Sequence, residues 1–305
     1  MQNRYVMQKE SMIKYNIAGL KITSACEFGP DYQNFLTDEH ISLPGADGFE
    51  FDLHEEGCIS VPGEAEFSVS QEQFVISKYS GGCLYEAVIP DTVTDKAHCT
   101  PATMYTDSSY HTALFTPGYG LTQLTRLALE SRFISDGKVI LHSSCINTPL
   151  GAVCLTAPSG TGKSTRAAAL CRAMTPHKFP MISGDRPLLD SSFAYGVPWD
   201  GKEQLHLNTS APLHSILKIK RLDECGPEAK ESIRRIEKRE AFKMIVSQVF
   251  IPMWDTDLAA KSMSNLKMLL ENVPVFEAIA GPDENSMMKL WDLITSENYV
   301  RDTGF

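Results

Sequence analysis

The segment Ala157-Pro158-Ser159-Gly160-Thr161-Gly162-Lys163-Ser164 has the residue types of a phosphate-binding loop at the spacing GxxxxGK[ST], with Ala157 where the pattern has its first glycine. Two glycines let the backbone turn tightly enough for successive N–H groups to face inward, and a following helix adds its positive end. Ser159, Gly160, Thr161, Gly162, Lys163, Ser164 and Thr165 are therefore candidate nucleotide-binding residues. Lys163 would reach the β and γ phosphates, and the Ser164 hydroxyl would face Mg²⁺. An alanine at position 157 is tolerable provided its φ stays negative. The metal also calls for a carboxylate at the end of a neighbouring strand. Asp185, in Ser183-Gly184-Asp185-Arg186-Pro187, is the candidate metal ligand or base. The alternative is an aspartate that only caps the turn before Pro187.

A phosphate loop needs a strand before it and a helix after it. Residues 152–156 form a short apolar run, and KSTRAAALCRA (163–173) reads as an Ala-rich helix. Upstream, Leu121, Leu124, Leu127 and Leu129 fall near helical spacing and Asp136-Gly137 supplies a stop, followed by an apolar strand at 139–142. Downstream, 213–219 reads as a strand, 234–250 as an amphipathic helix and 274–279 as a last buried strand. A closing helix would carry Met287, Leu290, Trp291 and Ile294 on its apolar face. Short apolar strands alternating with helices predict an α/β core. Residues 15–90 differ: Phe49, Phe51 and Leu53 alternate with charges, and Ser80-Gly81-Gly82 separates two strand-like runs as in a hairpin. The expected organisation is a small β-rich N-terminal domain, 1–120, followed by a nucleotide-binding domain, 121–305.

A formal net charge of −10 over 305 residues argues against nucleic acid and anionic lipid as partners. The basic stretch that includes Lys218, Lys220, Arg221, Arg234 and Arg235 is interleaved with acids and reads as a solvated face. The eight cysteines lack zinc-site spacing and are expected as free buried thiols. The first residues lack a signal-peptide pattern and no run of about 18 apolar residues occurs, so a cytoplasmic location without a membrane span is expected. His142 on an apolar strand is by spacing a satisfied core histidine. His98 and His111 read as structural.

Four passages resemble the HPr kinase/phosphorylase and phosphoenolpyruvate carboxykinase group, in particular the smaller HPr-kinase-like proteins of bacterial peptide-modification clusters. They are KVILHSSCI (138–146), APSGTGKST (157–165), ISGDRP (182–187), and YGVPWDGKE (195–203) with APLHSILKIKR (211–221). The resemblance spans about residues 120–300. It implies ATP and Mg²⁺ as cofactors, with Lys163, Asp185 and His142 catalytic. Ser164 and Asp185 are then the metal candidates; Glu203 is read either as a carboxylate that supplements them or as an incidental charge of a surface loop, and Lys220 and Arg221 either as charge neutralisers or as solvent-facing side chains. Where the group has an aspartate pair, this chain has Gly184-Asp185, so either one carboxylate serves two roles or the base lies elsewhere. The expected activity is transfer of the γ-phosphoryl group to a serine-type hydroxyl on a peptide, small protein or small molecule, with a homo-oligomer possible. The alternative is a catalytically weak nucleotide-binding regulator or scaffold. A carboxykinase would need a second metal and more basic and histidine ligands.

Overall fold

The computed structural model describes residues 12–37, 50–61, 63–71, 73–174, 179–199 and 207–296. Two compact units divide it, and over these residues the division falls between Arg132 and Phe133.

The first unit holds β1 (Ile13–Ile17), β2 (Leu20–Ser24), β3 (Glu50–Glu55), β4 (Phe67–Ser70), β5 (Phe74–Tyr79), β6 (Gly82–Ala87), β7 (Thr103–Asp107) and β8 (Thr112–Thr116). They form one mixed sheet in the order β1-β2-β3-β8-β7-β6-β5-β4. The alternation anticipated at Phe51 and Leu53 puts both side chains fully inside, and Ile22, Ile76, Tyr85, Met104 and Phe115 are buried in the same unit. The hairpin β5–β6 closes between Tyr79 and Gly82. Helix α1 (Leu121–Ser135) follows and is ended by Gly137 at φ 83°. The division between the units lies inside this helix.

The second unit contains β9 (Val139–Ile140), β10 (Ser143–Thr148), β11 (Gly151–Thr156), α2 (Lys163–Ala173), β12 (Met181–Ser183), β13 (Leu188–Leu189), β14 (Phe193–Tyr195) and β15 (Ser210–Arg221). Then come β16 (Ser232–Arg235), α3 (Lys238–Ile245), α4 (Thr256–Asn272), β17 (Val275–Ala280) and α5 (Glu284–Thr295). The sheet order is β12-β10-β11-β15-β14-β13-β9, with β17 beside β15 and β16 beside β17. The twelve-residue β15 spans two neighbours on one side: residues 210–212 pair with β14 and residues 216–221 with β17. Helices cover both faces. Ala167 and Leu170 of α2 join Met287, Leu290, Trp291 and Ile294 of α5 over Val153, Leu155 and Leu217. On the other face, Ala241 and Ile245 of α3 and Leu266, Leu269 and Leu270 of α4 cover Cys154, Ile216 and Val275. The chain is thus α/β with two mixed sheets. Burial on both faces is why these strands are near-continuous apolar runs.

Three expectations change. The predicted helix at 234–250 is shorter: Ser232–Arg235 is strand β16, and the helix is α3 alone. Pairing of Ile233 with Ala278 across the β16–β17 ladder, with Ile233 packed on the core, overrides the local helical pattern. The predicted strand 139–142 breaks before His142, because β9 pairs with β13 whereas β10 pairs with β11 and β12. The eight thiols are free, but only Cys83, Cys145 and Cys154 are buried; Cys58 and Cys225 are exposed. Helix α4, unanticipated, begins at Asp255, whose carboxylate accepts from the N–H groups of Asp257 and Leu258. Among the described residues no helix is long and apolar enough to cross a membrane.

Candidate functional site

Strands β11, β12, β15 and β17 run in one direction and β10 runs against them between β12 and β11. One edge of the sheet therefore collects the carboxyl ends of four strands and the start of β10. In open α/β sheets that edge is where ligands bind. The loop 157–162 leaves β11 there, Gly184-Asp185 leaves β12, and His142 stands just before β10.

The loop has the expected backbone. Gly160 at φ 79° and Gly162 at φ 84° occupy the left-handed region, and Gly162 is the cap residue of α2. Ala157 is fully buried, and the non-glycine residues with positive φ among those described are Ala18 and Tyr110, so the missing first glycine costs no backbone strain. Lys163 is buried, and its Nζ donates to the Ala157 carbonyl at 3.0 Å and the Pro158 carbonyl at 3.4 Å, folding back along the loop. Burial holds its ammonium below the usual lysine range; Asp185 opposes that shift and Lys218 adds to it.

The Ser164 hydroxyl lies 3.4 Å from the Gly184 carbonyl, to which Ser144 Oγ also donates at 2.8 Å. These contacts bring the first turn of α2 against the Gly184-Asp185 turn. Asp185 is tied to β10 through its carbonyl, which accepts from Ser143 N at 2.7 Å. His142 Nε2 lies 3.2 Å from Asp185 Oδ1, and Arg186 Nε lies 3.7 Å from Asp185 Oδ2. Burial lowers the His142 pKa, assisted by Lys163 and Arg186, with Asp185 pulling the other way. His142 is one-third exposed, so it is a cleft group rather than the core histidine that its spacing implied.

Lys163, Ser164, Asp185 and His142 are thus brought together. Lys220 and Arg221 are not part of this group: Lys220 Nζ holds Glu277 at 2.8 Å and Arg221 pairs with Asp223, both largely solvated. Glu203 lies outside the described residues. His98 and His111 are surface groups of the first unit, each bonded to a neighbouring side chain.

Two residues had been overlooked, Ser144 and Arg166, and a third, Lys218, had been read as part of a solvated basic face but lies partly buried on β15. Lys218, opposite Thr156 in the β11–β15 pairing, is half-buried, has no hydrogen bond or ion pair with a described residue, and is pushed down in pKa by burial. Arg166 is 2% exposed, and its guanidinium donates to Thr161 O at 2.6 Å, to Gly162 O at 3.3 Å, and to Ala280 O at 3.2 and 3.0 Å, joining the loop to the end of β17. The usable signal was helical spacing: Lys163, Arg166, Ala167 and Leu170 share one face of α2, and a charge on that face must find partners.

No protein-family model and no curated protein matches the chain. Among solved structures, one match is the HPr(Ser) kinase/phosphatase from Coxiella burnetii, at 10% identity, covering 54% of this chain and 99% of that one with a TM-score of 0.29. At that score the likeness carries no argument about fold or activity.

Proposed function

We propose that this chain is an ATP- and Mg²⁺-dependent kinase that transfers the γ-phosphoryl group to a hydroxyl acceptor. The reading is carried by one observation: the phosphate loop and a carboxylate, held against each other through Ser164, Gly184 and Ser144, meet at the sheet edge formed by strand carboxyl ends.

The residues present fit Mg²⁺. No group of three or more His, Cys, Asp or Glu side chains forms a dedicated metal cage among the described residues, and none is needed, because Mg²⁺ in such sites takes one or two protein ligands together with substrate phosphates and water. Ser164 and Asp185 are the groups that would hold it, and it would lower the charge that an attacking oxygen must approach. The inward-facing loop N–H groups and the α2 N-terminus would bind phosphate oxygens. Lys163 would turn from the Ala157 and Pro158 carbonyls to the β and γ phosphates, an exchange of neutral for charged acceptors that strengthens its hydrogen bonds. Asp185 would take the acceptor proton, and His142 beside it would hold the carboxylate in place.

The test is Mg²⁺-dependent ADP formation by the purified protein with candidate acceptors, beside nucleotide-binding titrations. Lys163→Ala should weaken ATP binding by at least about tenfold, the loss of a charge-assisted contact. Asp185→Asn should retain ATP binding and lose transfer by about two orders of magnitude or more. Undiminished transfer in Asp185→Asn would remove that residue from the mechanism. Tight nucleotide binding without turnover for any acceptor would favour a regulatory protein.

A further inference from the structure

Lys218 stands on the last rung between β15 and β11, opposite Thr156, and the loop 157–162 starts at the next residue after β11. We propose that its ammonium is a second lysine ligand of the phosphate site and holds the γ-phosphoryl group, so that this residue separates a nucleoside triphosphate from a diphosphate. This rests on the kinase reading.

The register fixes the face from which the side chain leaves the sheet. Val153 and Leu155 of β11 and Leu217 and Ile219 of β15 pack with α2 and α5, whereas Cys154 and Ile216 pack with α3 and α4. With a period of two, Thr156 and Lys218 belong to the second face, opposite the one that α2 covers. Lys163 comes to the loop from the α2 side. Lys218 comes from the other side, next to Thr156, whose Oγ1 donates to the His142 carbonyl at 2.9 Å. A phosphate chain held by the loop is then flanked by two ammonium groups. The one on the side of His142 and Asp185 meets the terminal phosphate, where the acceptor must approach.

The neighbouring carboxylates are already engaged. Glu277 is directly opposite Lys218 across the β15–β17 ladder, but its carboxylate lies 2.8 Å from Lys220 and 3.5 Å from Arg234, and Lys218 forms no ion pair with it or with another described residue. Asp185 is shared by His142 and Arg186. Lys218 is nevertheless half-buried, and its charge lies near enough to Lys163 to push that ammonium down in pKa. Like charges held close in partly dry surroundings disfavour each other until an anion neutralises both, and a phosphate group is such an anion. In the transfer step the acceptor oxygen bonds to the γ-phosphorus as the bond to the β,γ-bridging oxygen breaks. ADP leaves with that electron pair, and the acceptor proton passes to Asp185. Lys218 keeps its protons and holds a non-bridging oxygen throughout.

The experiment is calorimetric titration of the intact protein, with Mg²⁺, by the β,γ-imido analogue of ATP and by ADP, for the parent, Lys218→Met and Lys218→Arg. Thermal melts without nucleotide and ADP formation from ATP are measured beside it. The parent should bind the triphosphate more tightly than ADP. Lys218→Met should weaken triphosphate binding by about tenfold or more and ADP binding by less than about twofold, and Lys218→Arg should recover part of the difference. Without nucleotide, Lys218→Met should melt no lower than the parent, because it removes a half-buried cation that has no described partner. An unchanged preference for triphosphate in Lys218→Met overturns the proposal, and so does an equal loss of both nucleotides with a lowered melting temperature, which assigns the lysine to packing. In either case binding by the parent keeps the nucleotide reading. A parent that binds neither nucleotide overturns both. Loss of the preference in Lys218→Met, together with no ADP formation by the parent for any acceptor, upholds Lys218 as a phosphate ligand and removes the kinase.

Discussion

Arg166 lies inside α2 with its guanidinium directed at backbone carbonyls of Thr161, Gly162 and Ala280. It therefore couples the curvature of the loop 157–162 to a strand two positions away in the sheet, through carbonyl acceptors. Charged hydrogen bonds of this kind contribute about 1.5–3 kcal/mol each, discounted when the freed carbonyls can recruit water. Arg166→Met should lower stability by about 2–3 kcal/mol in urea melts and weaken nucleotide binding, and Arg166→Lys should recover part of the binding through one of the two anchors. Full nucleotide affinity in a destabilised Arg166→Met would reduce the residue to packing. At this scale the loop was legible because its chemistry is local: the glycines, Lys163 and Ser164 lie within a few residues of one another. Asp185 could be picked out as a carboxylate after a strand. Its 3.2 Å approach to His142 could not, since the two are brought together by the β10–β12 pairing.

Among the elements, the short strands β9, β13 and β14 are fastened by a compact polar cluster. Lys138 Nζ donates to Asp190 Oδ2 at 2.7 Å and to Tyr195 Oη at 3.3 Å, and Tyr195 in turn donates to Asp190 at 2.9 Å. Burial alone would raise the Asp190 pKa, but Lys138 and the N–H groups of Ser192 and Phe193 outweigh it and hold the carboxyl below the usual range. A depressed folded-state pKa means that this stabilisation is complete above the unfolded aspartate value of about 3.9 and is lost as pH falls through the lower folded value. Lys138→Met should cost about 1–3 kcal/mol at neutral pH, below the figure for a fully buried pair because Asp190 is one-fifth exposed. Denaturant melts should show the gap between variant and parent narrowing at acid pH; a gap independent of pH would assign the loss to packing of the lysine stem. Periodicity located α2, β17 and α5 closely, since each buries a regular face. It failed at β16, where pairing with β17 outweighs local pattern, and at α4, whose start depends on the Asp255 cap.

For the whole molecule, each compact unit has its own buried side chains, and the glycine-rich loop 157–162 proposed to bind nucleotide belongs to the second. Calorimetry is expected to give a van't Hoff enthalpy below the calorimetric one, and saturating MgATP should raise the transition of the second unit selectively, by mass action on its folded state. A single two-state transition shifted as a whole by MgATP would contradict this. The sequence by itself determined the α/β character of the second unit, the strand-rich first unit and the strand, glycine-rich loop and helix at 151–173, because hydrophobic period and glycine spacing act over a few residues. Only the tertiary structure decided that His142 leaves the strand it was expected to occupy, that Arg166 and Lys218 stand at the loop, and that Gln248 faces His142. Those relations come from strands paired across long stretches of chain, where backbone register chooses neighbours that no local pattern encodes.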